Sequence, residues 1–309
     1  MRRGLATTLV SLIALGLLAP GGAEATHAKG DPRLEVAHAF TTAETAGSIA
    51  TATVSCPQTT RPDLGPWRAM SGGFNMTLGT PGYTPGEGPF ITPFGSGVVF
   101  ESHRVGQRSW RASAQSLSGR LDLGVAVYCQ NSVPKLKSAS TTVITPATAQ
   151  VGPAAVAHCR SGRAVSGGFS TPPPFTATGA ANTVIGSTPN GRKGWQAQVL
   201  SSQTSSVTSY VYCAERKAPP LGRSFAGEPS SVATLDHQVA FANTYDPGCP
   251  RRGRFIPGGG GFSEEGATPS QYLIPTDSHQ QSTGGSWHIT AVKVGGGIPV
   301  RLRAILLCG

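Results

Sequence analysis

Short runs of alternating apolar and polar residues, separated by glycine- and proline-rich turns, organise this chain. Trp110, Ala112 and Ala114 fall on one side of such a run and Arg111 and Ser113 on the other, the period of two that predicts a half-buried strand. Leu121, Leu123, Val125, Val127 and Cys129 continue it, so Cys129 is expected on the core side. The pattern returns in Trp195, Ala197 and Val199, then in Val207, Ser209, Val211 and Cys213, with Tyr210 and Tyr212 predicted to point outward. It returns again in Trp287, Ile289 and Ala291, then in Val300, Leu302, Ala304, Leu306 and Cys308, with Arg301 and Arg303 outward. The tryptophan-to-cysteine separations are 19, 18 and 21 residues, as one hairpin built three times requires.

A second landmark sits upstream of each tryptophan. Arg68-Ala69-Met70-Ser71-Gly72-Gly73-Phe74 recurs as Arg163-Ala164-Val165-Ser166-Gly167-Gly168-Phe169, and more loosely as Arg254 to Phe262. Paired glycines before a buried aromatic predict a strand that bends sharply or admits a neighbouring backbone. A phosphate-cradling loop is the rival reading, but no helix follows and no Gly-Lys-Ser/Thr is present. The chain therefore divides into a leader at 1–25, an extension at 26–46 and β repeats at 47–132, 150–216 and 230–309. The segments 133–149 and 217–229, rich in Ser, Thr, Pro and Lys, read as linkers.

Composition narrows the class. The chain has 309 residues, with 41 Gly, 25 Pro and 13% charged residues, which disfavours long helices and implies an all-β fold. Arg2 and Arg3, the apolar run Leu9 to Leu18 and Ala23-Glu24-Ala25 have the form of a secretory signal, too short in its apolar part to span a bilayer. The expected localisation is secreted, in association with the cell wall or free of it, with no integral membrane segment. Without that leader, 23 basic and 14 acidic residues remain, a balance of +9. Export with positive charge points to anionic partners such as wall polymers and acidic extracellular glycans, and away from nucleic acid. Six cysteines, two per repeat, predict Cys56–Cys129, Cys159–Cys213 and Cys249–Cys308 disulfides.

Chemistry is harder to place. No Gly-x-Ser-x-Gly elbow, His-Glu-x-x-His pair or Cys-x-x-Cys pair occurs, so no catalytic residue, metal or cofactor is assigned. Asp277, His279 and His288 form the one local His/Asp cluster, and His158 is expected at the surface. The repeated tryptophans share a face with alanines and aliphatics and read as core. Trp67 has no counterpart in the other repeats; with Tyr83 and Phe90 in the Gly79-to-Gly97 loop, it is the candidate exposed aromatic for ligand binding.

The motifs Cys56-Pro57, Cys249-Pro250, Gly73-Phe74, Gly168-Phe169, Gly261-Phe262, Tyr128-Cys129, Tyr212-Cys213 and Leu307-Cys308 distantly resemble the vitelline membrane outer layer protein family. The resemblance implies a β-prism-like, pseudo-threefold arrangement of three sheets. The chain also resembles uncharacterised secreted bacterial proteins with Gly-Gly-Phe…Trp…Tyr-x-Cys repeats, which implies no activity. Three tandem small β-sandwiches are the alternative architecture. The expected function is non-catalytic binding of cell-envelope or environmental glycans or other anionic polymers; the alternatives are a secreted hydrolase using loop carboxylates and a structural coat component.

Overall fold

A computed structural model describes residues 26–27, 34–58, 66–77, 97–131, 135–147, 151–174, 182–215, 224–226, 231–235, 238–244, 257–268, 270–280 and 286–308. Twenty strands account for most of them, and the described residues contain no helix. The first ten are β1 (Thr26–His27), β2 (Leu34–Ala43), β3 (Ile49–Ser55), β4 (Arg68–Thr77), β5 (Gly97–Val105), β6 (Ser109–Ser116), β7 (Leu121–Gln130), β8 (Lys137–Thr145), β9 (Ala155–His158) and β10 (Arg163–Ser170). The second ten are β11 (Asn182–Asn190), β12 (Gly194–Ser201), β13 (Ser205–Ala214), β14 (Ser224–Ala226), β15 (Ser231–Ala233), β16 (Val239–Asn243), β17 (Pro257–Glu265), β18 (Tyr272–Gln280), β19 (Trp287–Val294) and β20 (Val300–Cys308).

The strands form three antiparallel sheets. The first has the order β1-β2-β7-β4-β18-β19-β16, the second β3-β6-β5-β10-β13-β8, and the third β14-β20-β17-β11-β12-β9 with β15 also beside β20. Each sheet draws strands from two repeats, joined at the seams β4–β18, β10–β5 and β17–β11. Three tandem sandwiches are thereby ruled out, because no repeat holds a complete sheet of its own.

The glycine-glycine-phenylalanine motif lies at all three seams. Phe74, Phe169 and Phe262 pair in register with Ser278, Ser102 and Ser187 of the adjoining repeat. Their rings meet edge to face, Phe74 with Phe169 at 6.4 Å and Phe169 with Phe262 at 6.3 Å between centroids. A Cβ on the first glycine would collide with a tryptophan: 2.2 Å from Trp110 at Gly72, 2.1 Å from Trp195 at Gly167 and 1.9 Å from Trp287 at Gly260. A Cβ on the second would lie about as close to a backbone carbonyl across the seam, 2.2 Å from Ser278 O at Gly73 and 2.3 Å from Ser102 O at Gly168. Each indole N–H donates to a seam serine hydroxyl: Trp110 to Ser102, Trp195 to Ser187 and Trp287 to Ser278, at 2.9 to 3.0 Å. The tryptophans are therefore core residues, each contributing on the order of 4 to 6 kcal/mol of apolar burial.

Several expectations change. Residues 137–145 of the expected linker form β8, which pairs with β13 from Lys137↔Cys213 to Thr145↔Ser205. Within 217–229, β14 pairs with β20, and the extension at 26–46 contains β2, paired along β7. Tyr212 does not point to solvent: the Arg104 guanidinium lies 4.3 Å over its ring, and its hydroxyl accepts the Arg104 N–H, so the outer face is covered there. Cys56–Cys129 and Cys159–Cys213 are bonded, with Cα separations of 5.7 and 5.8 Å. Cys249 lies outside the described residues, and with it the third pairing. Among the described residues no helix is long and apolar enough to cross a membrane.

Candidate functional site

The glycine-rich seams leave no room for a ligand. The space between the three glycine pairs, their phenylalanines, Trp110 and Trp287 is about 20 Å³, enough for one water. Trp67, the candidate exposed aromatic, is buried in the same core cluster as Cys56 and Cys129, which removes it as a stacking platform. Tyr83, Phe90 and residues 78–96 lie outside the described residues.

Cationic side chains gather where the motif strands begin. Arg68 and Arg163 open β4 and β10, and the turns after β5 and β11 carry Arg108, and Arg192 with Lys193. Gly106 and Gly191 take positive φ in those turns, 66° and 63°, which glycine adopts without strain. Arg108 is consumed structurally, donating to the Cys56 and Pro57 carbonyls at 2.7 Å. Arg104 likewise donates to Leu136 O at 3.3 Å. Burial, and after it the charge of Arg68, hold the Arg104 pKa below its usual value against the opposing effect of Tyr212. Burial and Arg192 do the same to Arg163.

Beside this cluster lies an open cleft of about 1000 Å³, lined among the described residues by Lys135, Lys137 and Arg160, the serines Ser138, Ser140 and Ser161, and one carboxylate, Glu215. Lys137 and Glu215 form an ion pair at 3.2 Å, with both side chains more than half exposed. Lys135 and Arg160 are thus in excess, and the cleft presents positive charge with hydroxyl donors alongside. Its cationic and hydroxyl side chains come from the β8 segment and from the turn after Cys159, and Glu215 from the end of β13, so their convergence depends on β8 being a strand rather than a linker. The lysines flanking Leu136 are visible in the sequence, but nothing there pairs them with Arg160.

The structure does bring Asp277, His279 and His288 together, on adjacent strands β18 and β19. His279 Nδ1–H donates to Asp277 Oδ1 at 2.5 Å, while Asp277 Oδ2 stands 3.9 Å from His288 Nε2. Burial opposes charge on His279, yet the Asp277 carboxylate outweighs it and raises the pKa. His288 goes the other way, lowered by burial and by His279 despite Asp277. Its Nδ1–H donates to Asn243 Oδ1, and its Nε2 accepts from the Thr290 hydroxyl at 2.8 Å, a pattern that holds the ring neutral. His38 is lowered too, by burial and then His279.

The second sheet carries the matching acid–histidine pair in closed form. Glu101 accepts from His103 at 2.6 Å, from Arg111 Nε at 3.0 Å and from Ser113 at 2.7 Å. Burial acts against its charge, but these bonds prevail and hold its pKa down to about 2. His103 stacks on Tyr210, with ring centroids 4.5 Å apart. This group is a saturated network. Among the described residues no three His, Cys, Asp or Glu side chains are placed to hold a metal ion. His158 is exposed, as expected.

No protein-family model matches the chain, and no curated protein matches it.

Proposed function

We propose that this is a secreted, non-catalytic, disulfide-stabilised β protein that binds acidic glycans or other anionic polymers of the cell envelope or its surroundings. On this reading the three sheets are the faces of a β-prism about the phenylalanine cluster, and the ligand lies across the positively charged end. The observation that carries it is the open cleft where Lys135, Lys137 and Arg160 outnumber Glu215. A groove lined by one sign of charge concentrates oppositely charged chains, and the adjacent serine hydroxyls supply donors for carboxylate, sulfate or phosphate oxygens. The formal balance of +10 for the whole chain favours the same partners.

The test is retention on immobilised heparin and on polyglutamate across a salt gradient. Replacing Lys135, Lys137 and Arg160 together by glutamine should weaken binding about 10-fold, roughly 0.5 kcal/mol per removed charge, and flatten the salt dependence. Absence of retention at low salt, or retention equal to wild type in the triple variant, would discard the reading.

A further inference from the structure

The outer face of the first sheet has a chemistry that the charged end does not. Registers across six adjacent strands align Phe40, Gly124, Asn75, Asp277, Thr290 and Phe241 in one row on one side of that sheet. Phe40 and Phe241 stand at its two ends and are 56% and 49% exposed. Five inter-strand steps of about 4.8 Å put them on the order of 24 Å apart. The neighbouring row contains His38, His279, His288 and Asn243, and neither row contains a lysine or arginine. In a chain with so large a positive balance, that gap marks out this face.

Between the two rings the surface is recessed and polar. Gly124 contributes no side chain, and Asn75, Asp277 and Thr290 are 4 to 8% exposed, as the floor of a trough would be. His279 fixes one Asp277 oxygen. Among the described residues no donor lies within hydrogen-bond reach of the other, since His288 stops at 3.9 Å. Asp277 Oδ2 is thus an oriented acceptor without a donor, flanked by an amide and a hydroxyl. The corresponding positions of the other sheets differ. Glu101 has both oxygens occupied, and Gly186 has no carboxylate at all.

We propose that this face binds a neutral saccharide chain, with Phe40 and Phe241 stacking on sugar rings at its ends and Asp277 Oδ2, Asn75 and Thr290 taking hydroxyls between them. The sugar ring has an apolar face that packs on an aromatic and an equatorial rim of hydroxyls that needs oriented acceptors. Pairing of Asp277 with His279 brings the trough close to neutrality, which suits an uncharged chain and not the acidic polymers of the cleft. The inference does not depend on the cleft being a site.

Affinity electrophoresis of the full mature protein in gels containing hydroxyethylcellulose, laminarin or mannan, with chitohexaose as a soluble competitor, tests it. At least one neutral probe should retard the protein. Phe40→Ala with Phe241→Ala should weaken that binding about 10-fold, and Asp277→Asn several-fold, while heparin retention stays at the wild-type level. Thermal unfolding of the double variant is followed alongside, and Ile144→Ala on the second sheet serves as an exposed apolar control. Failure of every neutral probe, unchanged binding in the double variant, or equal loss in the Ile144→Ala control would overturn the proposal. Neutral binding without heparin retention would sink the cleft reading and uphold this one.

Discussion

Replacing Gly167 with alanine places a methyl group inside a ring. The new Cβ would stand 2.1 Å from Trp195 Cγ and 2.2 Å from Cδ2, whereas carbon atoms rest at about 3.5 Å or more. The indole must therefore retreat by more than 1 Å. It has nowhere to go, because Trp195 is fully buried and its far edge already approaches Gly261. Overpacking of this kind costs roughly 1 to 3 kcal/mol. Displacing the ring also strains the 2.9 Å bond to Ser187, adding about 1 to 2 kcal/mol for a buried N–H without its partner. The expected loss is about 2 to 5 kcal/mol, a large share of the roughly 5 to 15 kcal/mol that stabilises a native protein. Urea unfolding of the oxidised protein, followed by tryptophan fluorescence, measures it. Gly186→Ala is the control, since its Cβ would meet nothing closer than 3.6 Å and should shift stability by less than about 0.5 kcal/mol. A Gly167→Ala variant as stable as wild type, or a Gly186→Ala variant equally damaged, would refute the assignment of these glycines to tryptophan packing.

Further outcomes follow from bonds already described. Cys159→Ser combined with Cys213→Ser opens a link spanning 54 residues and should cost about 4 kcal/mol on the chain-entropy account, read in the same urea assay; a loss under about 1 kcal/mol would contradict it. Glu101 has a folded pKa near 2 against 4.5 unfolded, so its contribution is complete above pH 4.5 and is lost as the pH falls toward 2. The full shift corresponds to roughly 3 kcal/mol. Its partner Arg111 is 40% exposed, so screening reduces this to about 1.5 kcal/mol. Glu101→Gln should therefore be destabilised at pH 7 and converge on wild type near pH 2; a gap that persists at pH 2 would show that the carboxylate charge is not the cause.

Parity along single strands was legible from the residues alone. The alternation of Val207 to Cys213 depends only on a period of two within one run, and the burial follows it from Val207 to Val211, after which Tyr212 breaks it under the Arg104 guanidinium. Two disulfide pairs follow from the repeat, and of the two readings of the paired glycines, a sharp bend or the admission of a neighbour, the contacts show the second. What approaches them was not legible: Trp195 stands 28 residues beyond Gly167, and Ser278 belongs to a different repeat from Gly73. Residues 137–145 read as part of a linker on their Ser, Thr and Lys content; eight of the nine are exposed or half-exposed, and only the β13 edge makes them a strand.

The proposed sites mark the limit more sharply. Asp277, His279 and His288 were visible as a cluster because they lie within twelve residues of one another. Phe40, Asn75 and Phe241 share a row with Asp277 only because strands of the first and third repeats meet at a seam. Lys135 and Arg160 face one cleft for the same kind of reason. Periodicity records how a residue sits relative to its chain neighbours, so strand, face and repeat could be read directly. The exchange of strands between repeats is set by closure of three apolar faces on a shared core, and that closure alone decides which distant residues become neighbours.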